Sequence, residues 1–154
     1  MSSHAAMNDK FLSASPADGV EETLKAMKKA DVCMVPVLDE SGAAVGVFTI
    51  DLVLENLLPL SIAMNDGVQF DIKIGAAPGI AKRLKKVLPL TVADLMSRKF
   101  NTVYPETPLW ETVNQIVMNG KPLVVVEPKS GKALGIIDGR SAFDELNRLK
   151  DNDA

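Results

Sequence analysis

The sequence matches itself. Shifted by 89 positions, a run of residues falls into register without a gap. Lys10 and Phe11 fall on Lys99 and Phe100, Pro16 on Pro105, and Glu22 and Thr23 on Glu111 and Thr112. Val35 and Val37 fall on Val124 and Val126, and Gly42, Ala44 and Gly46 on Gly131, Ala133 and Gly135. Apolar positions match in kind: Val20 with Leu109, Leu24 with Val113, Met27 with Ile116, and Val47 and Phe48 with Ile136 and Ile137. Duplication of this kind overrides local propensity, because neither unit buries its apolar face without the other. The expected product is one body with a pseudo-twofold axis and binding at the seam between the copies.

A chain of 154 residues is long enough for one well-buried domain or two half-domains sharing a core. A net charge of only −3 gives no electrostatic case for nucleic acid or for an anionic membrane surface. The single cysteine, Cys33, excludes an intramolecular disulfide and fits a reducing compartment. Met1 to Lys10 lacks the apolar stretch of a signal peptide, so a cytoplasmic protein is expected. The longest apolar region, Val45 to Met64, is interrupted by Asp51, Glu55 and Pro59. It reads as core, and no membrane insertion is expected.

Each copy predicts the same order of elements. In the first, Phe11 to Ala14 is extended, and Val20, Leu24 and Met27 then mark one face of a helix. Glu21 and Glu22 complement the dipole of its first turn. Val32 to Leu38 reads as a buried strand, Asp39 to Gly42 as a turn, Ala44 to Ile50 as a second strand and Leu52 to Leu58 as a helix. In the second copy, Val92 to Met96 is a lead-in helix and Asn101 to Tyr104 a strand. Pro105 to Pro108 opens a helix striped by Leu109, Val113, Ile116 and Val117. Leu123 to Val126 and Leu134 to Ile137 are strands around a turn at Ser130-Gly131, and Ser141 to Leu149 is the closing helix. The unit is β-α-β-β-α, twice, an α+β (mixed α/β) class. The first motif is placed at 7–60, an insert at 61–90 and the second motif at 91–150. The insert is expected to hold a turn at Met64 to Gly67, a strand over Val68 to Ile74 and a helix starting near Pro78. The polar tail, Lys150 to Ala154, is expected to be disordered.

Chemistry-bearing residues are few. His4 stands alone in an expected flexible tail, and Cys33 reads as a small buried hydrophobe in a strand. No His/Cys cluster has metal spacing, and Asp66-Gly67 through Asp71 lacks the calcium-loop pattern. Gly75 to Gly79 is no phosphate loop, since no Gly-Lys-Ser/Thr follows. Lys82 to Lys86 reads as a solvated basic helix face. With one His and one Cys, no nucleophile–base pair or metal set can be assembled, which argues against an enzyme. Trp110, in the first turn of its helix, is a candidate for a dimer or partner interface, where Trp is enriched; the alternative is a partly buried Trp packed on Val113.

The segment Val92-Ala93-Asp94-Leu95-Met96-Ser97, followed by Asn101 to Leu109, resembles the opening of a CBS domain. So does Met34 to Asp39 followed by Gly42 and Gly46-Val47-Phe48-Thr49. The order and duplicated spacing of these pieces make the chain similar to a tandem CBS pair, a Bateman module, over roughly residues 7 to 150. The resemblance implies two units packed as one body with a cleft on each side, and a homodimer formed through helices. It implies no required cofactor and a non-catalytic regulatory role. The module would bind an adenosine-containing ligand (AMP, ADP, ATP or S-adenosylmethionine) and modulate a partner protein that the sequence does not name. The alternative is a ligand-free homodimeric scaffold with degenerate clefts.

The family's ligand stretch, Gly-h-h-Thr/Ser-x-x-Asp, sets its hydroxyl and helix N-terminus toward phosphate and its Asp toward ribose. Copy one reads Gly46-Val47-Phe48-Thr49-Ile50-Asp51-Leu52, with Thr49 in place and Asp51 one residue early. Such an offset turns a side chain by about 100° on a helix. Copy two reads Gly135-Ile136-Ile137-Asp138-Gly139-Arg140-Ser141. Here Asp138 replaces the hydroxyl, Ser141 stands at the Asp position, and Arg140 can offset the repulsion between Asp138 and a phosphate. The resemblance places a ring against Leu12, Met34, Val35 and Pro36 with Thr49 near phosphate, and a second cleft along Asn101, Thr102, Leu123 and Val124.

Overall fold

The computed structural model describes residues 2–58 and 79–152. A 3-10 turn, Ser3–Ala6, precedes copy one, which comprises α1 (Val20–Ala30), β1 (Met34–Leu38), β2 (Ala44–Thr49) and α2 (Ile50–Leu57). Then come α3 (Ile80–Val87) and α4 (Val92–Leu95). Copy two comprises β3 (Thr102–Val103), α5 (Leu109–Asn119), β4 (Leu123–Val126), β5 (Ala133–Ile137) and α6 (Gly139–Asn152). Copy two is thus a three-stranded sheet, with β3 parallel and β5 antiparallel to β4. In copy one the strand expected over Phe11 to Ala14 is reduced to one parallel bridge, Ala14 to Val37, beside the β1–β2 pair.

Helix α1 forms where the sequence places it. Glu21 and Glu22 lie in the first turn and Lys28 and Lys29 in the last, matching the dipole at both ends. Val20 and Met27 are buried against Val35, Val37 and Phe48. Asp31 closes the helix in the left-handed region at φ 56°, and Gly120 closes α5 at φ 65°.

The gapless register does not hold through the strands. Val35 pairs with Phe48 and Leu123 with Ile137; Val37 pairs with Gly46 and Val125 with Gly135. Phe48 and Ile137 are 89 apart, so the structural counterparts of Val35 and Val37 are Leu123 and Val125. Val124 and Val126 face the opposite side. The connection between the strands spans 39–43 in copy one and 127–132 in copy two, one residue longer, and a slip of one residue turns every strand side chain to the other face. The cores follow suit. Val35 and Val37 lie in the copy-one cluster, Leu123 and Val125 in the copy-two cluster, and Val124 and Val126 join Val47, Met34 and Ile136 in a third cluster between the sheets.

The approximate twofold passes between the two turns. Ala43 bridges Lys132, its own counterpart 89 residues on. Ala44 N donates to Gly131 O and Ala133 N to Gly42 O, each at 3.0 Å. Both glycines have positive φ, 87° and 73°, the region glycine enters without a Cβ penalty.

The lead-in pieces are exchanged. Asn8 forms two backbone hydrogen bonds with Ile136 of copy two, and Ser97 forms two with Val47 of copy one. The Ser3–Ala6 turn packs on α5 and α6, with His4 N donating to Pro105 O at 3.0 Å. Helix α4 packs on copy one, with Val92 N donating to Asp18 O at 2.8 Å and Ala93 N to Pro16 O at 2.9 Å. Each copy is therefore completed by the segment that leads into the other. Residues 2 to 6, expected as a flexible tail around His4, form a docked turn because Ser3 and Ala6 find buried places there. At the other end α6 continues through Lys150 to Asn152, so most of the expected disordered tail is helical. Cys33 is exposed and lies before β1, so it is not the buried strand residue expected. The helix expected near Pro78 is α3. The Met64 to Gly67 turn and Val68 to Ile74 strand lie outside the described residues.

Candidate functional site

A cleft of about 410 Å³ opens at the seam between the copies. One wall comes from copy one: Lys10, Phe11 and Leu12 from the lead-in, Ala30 and Val32 after α1, and Met34 at the start of β1. The other comes from copy two: Ile136 on β5, then Asp138, Arg140, Ser141 and Asp144 around the start of α6. The exchange of lead-in segments sets this arrangement. Asn8, bonded in both directions to Ile136, carries Lys10, Phe11 and Leu12 across to β5.

Leu12 and Met34 therefore share one cleft with Asp138, Arg140 and Ser141, although the sequence assigns these two groups to different copies. Val35, Pro36, Leu123 and Val124 are fully buried in their strands. They shape the floor beneath the cleft and the core between the sheets. Thr49 lies at the other end of copy one, where its hydroxyl accepts a hydrogen bond from Leu52 N at 3.1 Å and caps α2. Asp51 is exposed in the first turn of that helix, and Asn101 and Thr102 are exposed at β3. Lys10, Phe11, Ile136 and Asp144 are the lining residues that the motif reading missed. The shared Lys-Phe pair, repeated at Lys99-Phe100, was the signal that could have found the first two.

Asp138 is committed to its own helix. Its Oδ1 accepts from Ser141 N at 2.8 Å, and Ser141 Oγ accepts from Asp138 N at 3.0 Å. This reciprocal cap satisfies helix-start donors that an anion would otherwise take. A phosphate approaching α6 meets a carboxylate, so the favourable anion contacts in this cleft are Lys10 and Arg140. The apolar wall of Leu12, Met34 and Ile136 suits a flat ring, and the volume lies within the range of small-molecule sites. Among the described residues no cluster of His, Cys, Asp and Glu could hold a metal ion, and no helix is long and apolar enough to cross a membrane.

A family model described as CBS domain matches twice, at residues 3–59 and 92–148. Among solved structures, CBSX2, a CBS-pair protein from Arabidopsis thaliana, is similar at 19% identity and a TM-score of 0.76, over 96% of its chain and 97% of this one. A structure of CBSX2 in complex with AMP gives 22% identity and a TM-score of 0.72, covering 98% of that chain and 97% of this one. A CBS domain-containing protein of unknown function from Bacillus anthracis is similar at 16% identity and a TM-score of 0.74, covering 94% of that chain and 96% of this one. No match is found among curated proteins.

Proposed function

This chain belongs to the CBS domain family as a tandem pair, and from that premise we propose that it is a non-catalytic regulatory module binding an adenosine-containing ligand at the seam. The observation that carries the reading is the meeting of Leu12 and Met34 from copy one with Arg140 and Ser141 from copy two in one cleft. The base lies against Leu12, Met34 and Ile136, Ser141 and Asp144 face the sugar, and phosphate is held by Lys10 and Arg140. The complex of CBSX2 with AMP supports AMP as the first ligand to test. Thr49, Asp51, Asn101 and Thr102 belong to a second, weaker position at copy one's end of the seam, where Thr49 caps α2.

A ligand drawing on both walls acts by fixing the placement of one copy against the other, through unequal affinity for two such placements. The module works as a homodimer, in the cytoplasm, and reports to a partner protein through that placement. Thermal unfolding with AMP, ADP, ATP and S-adenosylmethionine tests the reading. A ligand at one hundred times its dissociation constant adds about 2.7 kcal/mol to stability. AMP is expected to raise the melting temperature; no shift with any of the four contradicts ligand binding and favours a scaffold.

A further inference from the structure

Copy two carries an apolar helical face that copy one lacks, and we propose that this face is where two copies of the chain meet, so that the homodimer is joined at its copy-two end alone. The inference rests on the homodimer reading and gives it a place and an orientation. Helices α5 and α6 are neighbours. From α5, Trp110, Val117 and Met118 project into solvent, and from α6, Phe143 and Leu146; Trp110 is 70% exposed and Phe143 66%. Residues 110 and 117 are seven apart and 143 and 146 three apart, spacings that keep each set on one side of its helix.

The chain supplies its own comparison. The counterparts of Trp110, Val117 and Met118, 89 residues earlier, are Glu21, Lys28 and Lys29. The counterpart of Leu146 is Leu57, which is 6% exposed against 42% for Leu146. Leu57 is buried because α3 lies on α2: Leu84 and Val87 enter the same core, and Arg83 Nη1 donates to Leu58 O at 2.7 Å. One position in the repeat is thus covered by a helix in copy one and open in copy two.

Charge decides the occupant. A head-to-tail pairing would press Trp110 and Val117 onto Glu21 and Lys28 of the next molecule and strip water from both charges, which is costly without partners. The copy-two face itself is uncharged across Trp110, Asn114, Val117, Met118, Phe143 and Leu146. A twofold axis through it sets like on like without repulsion, and an exposed Trp provides the kind of anchor that interfaces use. Copy one, closed by α3 and charged on α1, stays free at each end of the dimer.

Light scattering on the full chain reads the mass, expected at twice the 16.5 kDa of one chain. The double variant Trp110→Glu with Val117→Lys transfers copy one's own residues to copy two and is expected to halve that mass while leaving the far-UV spectrum unchanged. Leu54→Glu, at the counterpart of Phe143, is expected to leave the mass unchanged. In a Cys33→Ser background, Met118→Cys is expected to crosslink to its mate with a bismaleimide, and Lys28→Cys is not. The inference is overturned by a monomeric wild-type chain, the result if residues 59–78 or a different protein cover the face. A dimer that survives the double variant, or crosslinking through Lys28→Cys in place of Met118→Cys, overturns it equally. These readouts need no ligand, so a failure of nucleotide binding leaves them interpretable.

Discussion

A β-carbon on Gly46 would stand 2.8 Å from the Ser97 carbonyl oxygen, and its counterpart on Gly135 would stand 2.9 Å from that of Asn8. The two contacts are the same contact, repeated where each lead-in segment crosses to the opposite sheet. Backbone fills the space, so the strain of an added methyl cannot be relieved by turning a side chain. Gly46→Ala and Gly135→Ala are each expected to cost about 1–3 kcal/mol in urea unfolding. Gly139→Ala, where nothing lies within 4 Å, is expected to gain about 0.4–1 kcal/mol. An unchanged midpoint for Gly46→Ala would contradict the close approach.

The docked N-terminal turn makes a second prediction. Ser3 Oγ donates to Thr107 O at 2.7 Å and lies 2.6 Å from Thr112 Oγ1, with both residues buried. Ser3→Ala strands the Thr112 hydroxyl, whereas Thr112→Val leaves the Ser3 donor satisfied. Each single change is expected to cost about 1 kcal/mol or more, and the double variant less than their sum. Additive costs would mean that the two hydroxyls do not interact.

Stability is expected to fall in acid partly through Asp94. Its carboxylate accepts from Thr91 N and Thr91 Oγ1, each at 3.0 Å, and these bonds, the backbone one foremost, hold its pKa below the ordinary value. A lowered folded-state pKa contributes stability above the unfolded value of about 3.9, and that contribution is lost as pH falls below it. Asp94→Asn should therefore flatten the unfolding midpoint against pH between about pH 5 and 2. An identical slope in the variant would remove Asp94 from the account.

Asp138→Asn tests the electrostatics of the seam. Asn caps a helix about as well as Asp, so stability should change by less than about 0.5 kcal/mol. Removing the negative charge is expected to raise affinity for AMP and ATP several-fold while leaving adenosine nearly unchanged, as calorimetry would show. Equal effects on adenosine and AMP would mean that the phosphate does not approach α6.

The helices and the repeat were legible in the sequence because α1 and α5 carry their stripes and end charges locally. The fold class follows from the order of those elements. The strand register was not legible. A turn longer by one residue compensates the offset at β4, and Val124 and Val35 are equally apolar, so composition cannot show which face each meets. The fate of Ser3 and His4 was hidden for a related reason: the partners of that turn, Thr107 and Thr112, lie more than 100 residues away. At the site, the motif named Asp138, Arg140 and Ser141 within copy two and Leu12 and Met34 within copy one. Only the crossing of Asn8 onto Ile136 sets them on facing walls, and spacing along a single chain carries no record of such a crossing.

The most direct measurement of the central claim is the amide spectrum of the ¹⁵N-labelled chain titrated with AMP. A ligand bridging the seam predicts saturable shifts at Leu12, Met34, Arg140 and Ser141 together, with one dissociation constant for both copies. Shifts confined to one copy, or none at saturating AMP, would contradict it.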